Sequence, residues 1–416
     1  MGLGLLGRGV GDVKFLTHSG AKLIVTDLKS AKELTPSLRK LKKFKNIKYV
    51  LGCHRFEDFN GRDFILKAAG VPLDSPYIAA ARKHGVPVEM STTLFAKLAA
   101  GIMIVGVTGT RGKSTTAKLI YEILKQAGYR VWLGGNVRGV STLAFLPKVR
   151  TGDIAVLELD SWQLQGFGEA KISPHIAVFT NFLSDHLNYY RGDAKRYFAD
   201  KANIFRYQKQ GDYLLVGQDL KKTVPKSWKI KLLGEHNLNN IALAIKTAEI
   251  LDVPRGVIKK TVEHFRSVPG RLELVRVWRG IKIYNDTTAT IPDATIAALR
   301  AVGQPKKKNI ILIAGGADKN LDMTDLIEEI PRYCKTLILL PGTGTKKFKM
   351  QKATRLPDGQ EGRIASQNLK EAVEMAVRQA KRGDTILFSP AFASFGLFKN
   401  EFDRGKKFNQ LVKSLK

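Results

Sequence analysis

Apolar residues in this chain fall into two alternating patterns, short continuous runs and longer segments at helical spacing. The runs at 63–66, 86–88, 102–105, 154–157, 281–284 and 337–340, with Leu23–Asp27, Ile176–Phe179, Ile310–Ala314 and Thr385–Phe388, have the length of strands. Between them lie amphipathic segments. One buries Leu119, Ile120, Ile123 and Leu124 and stops at Gly128; another runs over 369–380 and is closed by Gly383. Continuous apolar runs separated by helices predict parallel strands covered on both faces, an α/β architecture. At 416 residues the chain exceeds one ordinary core. Breaks in the pattern divide it into parts at 1–97, 98–268 and 269–416.

The strand at 102–105 runs into Gly106-Val-Thr-Gly-Thr-Arg-Gly-Lys-Ser-Thr115 and then into a helix. Strand, glycine-rich loop and helix N-terminus together make a cradle for phosphates. In this reading Gly109, Thr110 and Gly112 supply backbone amides, Lys113 a mobile cation, and Ser114 or Thr115 a hydroxyl for Mg²⁺. The spacing departs from the usual loop, with Val107 at the first glycine position and Gly106 one residue early. Gly2-x-Gly4-x-x-Gly7, with Asp27 twenty residues beyond Gly7 at the end of a strand, has the form of a dinucleotide fingerprint. Such a fingerprint follows a strand that is normally central in its sheet, and here one residue precedes it, so either the true start lies upstream or the first sheet lacks that strand.

Beyond the strand ends stand candidates for chemistry. Glu158 is a hard carboxylate suited to Mg²⁺ beside a phosphate site. Asn181, Asp185 and His186 follow the next strand, and His186 is a second metal or water ligand. Asn240 opens a helix and could read an adenine edge, while Asn237 could cap it. On composition alone Lys201 is an ordinary surface lysine. In the last part Asn285–Thr290, Gly315–Lys319 and Ser389–Ser394 put hydroxyls, amides and a lysine at three strand ends, which suggests a binding face.

Composition narrows the class. The formal charge of +32 is spread without a nucleic-acid motif, so it reads as basic solvated faces and no specific nucleic acid is expected. No apolar run has the length of a membrane span, and the start lacks a signal-peptide layout. Two cysteines, Cys53 and Cys334, far apart, fit a reducing cytoplasm.

Taken together, Thr108–Thr115, Glu158 in Glu-Leu-Asp-Ser-Trp-Gln-Leu, 181–187, 234–240 and 389–405 resemble the Mur ligase family over essentially the whole chain. Within it the likeness is strongest to the branch that adds D-glutamate to UDP-N-acetylmuramoyl-L-alanine in peptidoglycan precursor synthesis. The resemblance implies three domains: a Rossmann-like N-terminal domain for the UDP sugar, a central P-loop ATPase-like sheet, and a Rossmann-like C-terminal domain for the amino acid. It implies ATP, two Mg²⁺ sites and a monomer. By the resemblance, Lys113 stabilises the γ-phosphate and Asn136 contacts the substrate carboxylate or phosphate. Ser114, Thr115 and Glu158 hold one Mg²⁺ and His186 touches the second. Lys201 becomes a carbamylated lysine bridging toward metal, against its composition-based reading. Asn240 takes adenine, Asp286 the ribose, Arg271 the γ-phosphate, Gly4 and Asp27 the uridine; Thr290, Lys319 and Ser394 receive the amino acid. Arg111, Thr288, Glu401-Phe402 and Ala68-Ala69-Gly70 depart from the family pattern. A folylpolyglutamate-type or pseudomurein-type ligase is the alternative enzyme, and a nucleotide-binding protein without ligation the alternative outside catalysis.

Overall fold

The computed structural model describes residues 1–183, 185, 189–217, 220–305, 307–345 and 363–415. They form two compact units: Met1–Trp228 with Asn239–Val262, and Lys229–Leu238 with Glu263–Lys416.

The first unit opens with two parallel strand pairs, β1 (Leu23–Asp27) with β2 (Ile47–Leu51) and β3 (Ile65–Lys67) with β4 (Val88–Met90). Between the pairs lies the backbone of Met1 and Gly2. Gly2 N–H donates to Thr26 O at 2.8 Å, and Met1 O accepts from Ala68 N at 2.9 Å. No strand assignment falls between the pairs among the described residues. The helix Arg8–His18 turns Val10 and Val13 onto Leu3, Val25 and Leu41, all buried.

The same unit carries an all-parallel five-stranded sheet: β5 (Met103–Thr108), β6 (Val131–Gly135), β7 (Ile154–Glu158), β8 (Ile176–Phe179) and β9 (Tyr213–Val216), in the order β6-β7-β5-β8-β9. The inner strands are β-branched and apolar because helices cover both faces; Val105, Val107, Val156 and Val178 are fully buried. Each such burial contributes about 1.5–3 kcal/mol. The chain leaves β5 for one edge and later crosses to the other, so the carboxyl end of β5 is a switch point, where open α/β sheets bind ligands.

The second unit has one six-stranded sheet, from β10 (Glu273–Trp278), β11 (Ile281–Asn285), β12 (Ile310–Ala314), β13 (Cys334–Leu339), β14 (Arg363–Ala365) and β15 (Thr385–Phe388). Its order is β10-β11-β15-β12-β13-β14; only β10 and β11 pair antiparallel. Alternation divides its residues between two cores. Leu312, Leu337 and Leu387 face one; Ile283, Ile311, Ile338 and Ile386 face the other.

Four expected strands fall at the residues expected, and the others shift. The run at 63–66 becomes β3, one at 86–88 gives way to β4, and one at 337–340 begins earlier as β13. The largest correction concerns Gly106. The strand continues to Thr108, so Gly106 pairs with Leu157 and Ala177 inside the sheet and is no part of the phosphate loop. A β-carbon there would meet Pro174 Cγ at 2.4 Å. No described helix is long and apolar enough to cross a membrane.

Candidate active site

The loop after β5 turns on two glycines in the left-handed half of backbone space, Gly109 (φ 137°) and Gly112 (φ 86°). Neither position has room for a side chain. A β-carbon on Gly109 would meet Thr180 Oγ1 at 2.0 Å, and one on Gly112 would meet Asn240 Oδ1 at 2.2 Å. The loop is tied to the end of β8: Thr110 N–H donates to Asn181 O and Arg111 N–H to Asn181 Oδ1, both at 2.9 Å. The helix Lys113–Gln126 then starts, with its N-terminal amides and partial positive charge at the loop.

Charged and hydroxyl groups gather there. Lys113 Nζ donates to Gly109 O at 2.9 Å and Thr110 O at 3.1 Å. Ser114 Oγ donates to Glu158 Oε1 at 2.9 Å, joining the helix start to the end of β7. Thr115 is buried one residue further on. Asn240 is buried and its Oδ1 accepts from Thr116 Oγ1 at 3.3 Å, on the helix that follows the loop. Arg111 Nη2 lies 3.5 Å from Asp185 Oδ2. His186 lies outside the described residues.

Lys201 overturns its composition-based reading. It is only 2% exposed, on the helix Ala194–Ala202, and its Nζ donates to Gly109 O at 2.8 Å, the carbonyl that also receives Lys113. Burial holds its ammonium well below the usual lysine range, and the nearby Lys113 charge lowers it further; Asp160 and Asp185 act in the opposite sense.

On the other side of Glu158, Asn136 N–H donates to Glu158 O at 2.7 Å. Gly135 makes this approach possible, because a β-carbon there would sit 2.1 Å from Glu158 O. Asn136 Oδ1 accepts from Arg8 Nη1 at 2.6 Å. Arg8 also lines a cavity of about 850 Å³ with Gly4, Lys29, Lys67, Gly135 and Ser141. The turn at its edge is held by Asp27, which accepts from Gly4 N and Lys29 N, each at 2.8 Å. Gly4 and Asp27 are thus brought together.

The second unit gathers its strand ends. Asp286 Oδ1 accepts from Leu272 N at 3.0 Å and Oδ2 from Ser389 Oγ at 2.9 Å, so the turn carrying Arg271 is fixed to Asp286. Lys319 Nζ donates to Thr290 Oγ1 at 3.2 Å. A bridge between Ala317 and Ala393 draws the Lys319 and Ser394 loops together. Beneath them lies Arg404, fully buried, donating to Thr287 Oγ1 at 3.1 Å, Thr287 O at 2.7 Å and Phe392 O at 3.1 Å. Burial lowers its pKa to about 10.

Sequence reasoning gave no role to Arg404 or Arg8. The partners of Arg404 lie 117 and 12 residues away, and that of Arg8 lies 128 away. Asn237, expected at the cap, lies inside the helix His236–Ile250, where its side chain donates to Leu233 O at 2.6 Å.

A glycine loop with lysine, hydroxyl and strand-end carboxylate at the switch point of a parallel sheet, in a chain that also carries a second α/β unit, has the form of a nucleotide-binding site, and the chain belongs to the Mur ligase family. Residues 107–227 match the Mur ligase middle domain, 270–392 the Mur ligase glutamate ligase domain, and 1–89 the Mur ligase MurD-like N-terminal domain. It is similar to the UDP-N-acetylmuramoylalanine–D-glutamate ligase of Roseiflexus sp. (strain RS-1), 37% identical over 464 residues, covering 100% of this chain and 97% of the relative. The corresponding ligase of Borreliella afzelii (strain PKo) is 35% identical over 452 residues, covering 100% and 97%. Among solved structures, the UDP-N-acetylmuramate-alanine ligase MurC of Thermotoga maritima shares the fold, with a TM-score of 0.65 at 17% identity, covering 100% of this chain and 98% of that one. The MurF ligase of the same organism, solved with ADP, has a TM-score of 0.56 at 21% identity, covering 82% and 92%.

Proposed function

We propose that this chain joins D-glutamate to UDP-N-acetylmuramoyl-L-alanine, using ATP, in peptidoglycan precursor synthesis. The observation that carries this reading is its similarity, across its full length, to ligases named for that reaction. The three-part division at 1–97, 98–268 and 269–416 serves it as sugar-nucleotide, ATP and amino-acid domains.

The reaction runs in two steps. The terminal carboxylate of the alanyl substrate attacks the γ-phosphorus of ATP, forming an acyl phosphate and ADP. The amine of D-glutamate then attacks the acyl carbon, and the tetrahedral intermediate expels inorganic phosphate to leave the amide. No enzyme nucleophile is needed, so the protein's work is positioning and charge neutralisation. Lys113 exchanges its carbonyl partners for the γ-phosphate, while the loop amides of Gly109, Thr110 and Gly112 receive the phosphate chain. Asn240 reads adenine, Asp286 the ribose, and Arg271 adds charge at the γ-phosphate. Asn136 donates to the acceptor carboxylate. Gly4 and Asp27 shape the uridine site, and Thr290, Lys319 and Ser394 receive D-glutamate.

The Ser114–Glu158 pair fits Mg²⁺, which is held in such sites by one or two oxygen ligands plus substrate phosphates. Ser114, Thr115 and Glu158 would hold one ion, and His186 with carbamylated Lys201 a second. Such ions supply neutralisation of phosphate charge. The amine of Lys201, whose charged form burial disfavours, is suited to adding CO₂.

The two-step route has its own test. With ¹⁸O in the terminal carboxylate of the acceptor, one label should appear in the released phosphate, read by mass spectrometry. Label-free phosphate would exclude the acyl phosphate.

A further inference from the structure

We infer that Arg8 is a positioning residue for the acceptor substrate, acting through the side-chain amide of Asn136. The inference rests on the ligase reading above, which places Asn136 at the acceptor. Four observations carry it. Arg8 Nη1 donates to Asn136 Oδ1 at 2.6 Å, and Arg8 is half-buried in the wall of the 850 Å³ cavity. The backbone of Asn136 is already fixed, through Glu158 O. Glu158 in turn receives Ser114 Oγ from the phosphate loop. A connected path therefore runs from the glycine turn of the first α/β layer, through Arg8, Asn136 and Glu158, to the ATP loop.

The chemistry follows from donor inventory. A guanidinium only donates, so it fixes which end of the amide is oxygen. The two hydrogens of Asn136 Nδ2 are then left to donate, the right polarity for a carboxylate that is becoming an acyl phosphate. Without Arg8 the amide can turn over and present its oxygen to an anion.

The turn does not depend on Arg8 for its place. Gly139 N–H donates to Leu6 O at 2.8 Å. Asp12, one turn along the same helix, accepts from Ser91 Oγ at 2.8 Å and Ser141 Oγ at 2.6 Å. Removing the guanidinium should therefore leave the packing intact, which separates positioning from scaffolding.

The test is steady-state kinetics on Arg8→Ala, Arg8→Lys, Asn136→Ala and the double variant Arg8→Ala/Asn136→Ala, with melting temperature as control. Arg8→Ala should raise KM for UDP-N-acetylmuramoyl-L-alanine about tenfold, the scale of a lost charge-assisted hydrogen bond. KM for ATP and the melting temperature should hold. Arg8→Lys, which still donates, should recover most of the loss. In the Asn136→Ala background, removing Arg8 should add little. An unchanged acceptor KM, a full additional loss in the double variant, or equal losses for both substrates with a lowered melting temperature would each overturn the inference. A wild-type enzyme inactive with this substrate pair would instead overturn the ligase reading beneath it.

Discussion

Lys113→Ala is expected to lower kcat by about a thousandfold, the scale seen when a preorganised donor to developing charge is removed from a dry site. Lys113 begins the helix Lys113–Gln126, and its Nζ is held on Gly109 O and Thr110 O, within the glycine loop itself. No core packing depends on it. The variant should therefore melt close to the wild-type temperature while single-turnover phosphoryl transfer is lost. Activity within tenfold of wild type would contradict its assignment.

Replacing Lys201 should separate stability from activity. Lys201→Met is expected to lower turnover at least about a hundredfold, as loss of a group essential to charge placement does, and to melt above the uncarbamylated wild type at pH 7. The sign follows from burial. The folded state holds the Lys201 ammonium well below its usual range, so between that lowered value and the ordinary lysine value the unfolded chain binds the extra proton. Stability of the unmodified protein rises with pH across this window. At pH 7 the unfolded chain gains by charging the amine, and methionine abolishes that gain. Gly109 O keeps Lys113 as a donor. The stabilisation should shrink as pH approaches the lysine range, which melting curves at a series of pH values would record. A variant that melts lower at pH 7 and keeps its activity would refute both the burial argument and the catalytic one.

The parts of this fold legible in sequence were those with a strong period. Ile176–Phe179, Ile310–Ala314 and Thr385–Phe388 are central and buried on both faces, so their runs are unbroken. The strands that escaped notice lie mostly at edges, where one face needs no apolar residue. Tyr213–Val216 is largely exposed, and Glu273–Trp278, at the end of its sheet, sets Glu273 and Arg276 among its apolar residues and has no buried position. Gly106 misled for a different reason. A glycine required by Pro174 packing looks, in one dimension, like a glycine required by a loop.

The site divides similarly. Gly109–Thr115 is contiguous and carries its own chemistry, so it could be read directly. Lys201 could not, because its burial comes from Tyr197 and the Gly109 carbonyl, brought to it by the fold. Only resemblance gave it a role. Arg8 and Arg404 had no local signal, since their partners are assembled by the turns of separate strands.

The central claim is the pairing of one acceptor with one amino acid. Phosphate release from ATP, followed continuously with purified full-length protein, tests it most directly. The account predicts sustained release only when UDP-N-acetylmuramoyl-L-alanine and D-glutamate are both present, with a product heavier by one glutamyl residue. Equal release with L-glutamate, or with a different nucleotide sugar as acceptor, would contradict it.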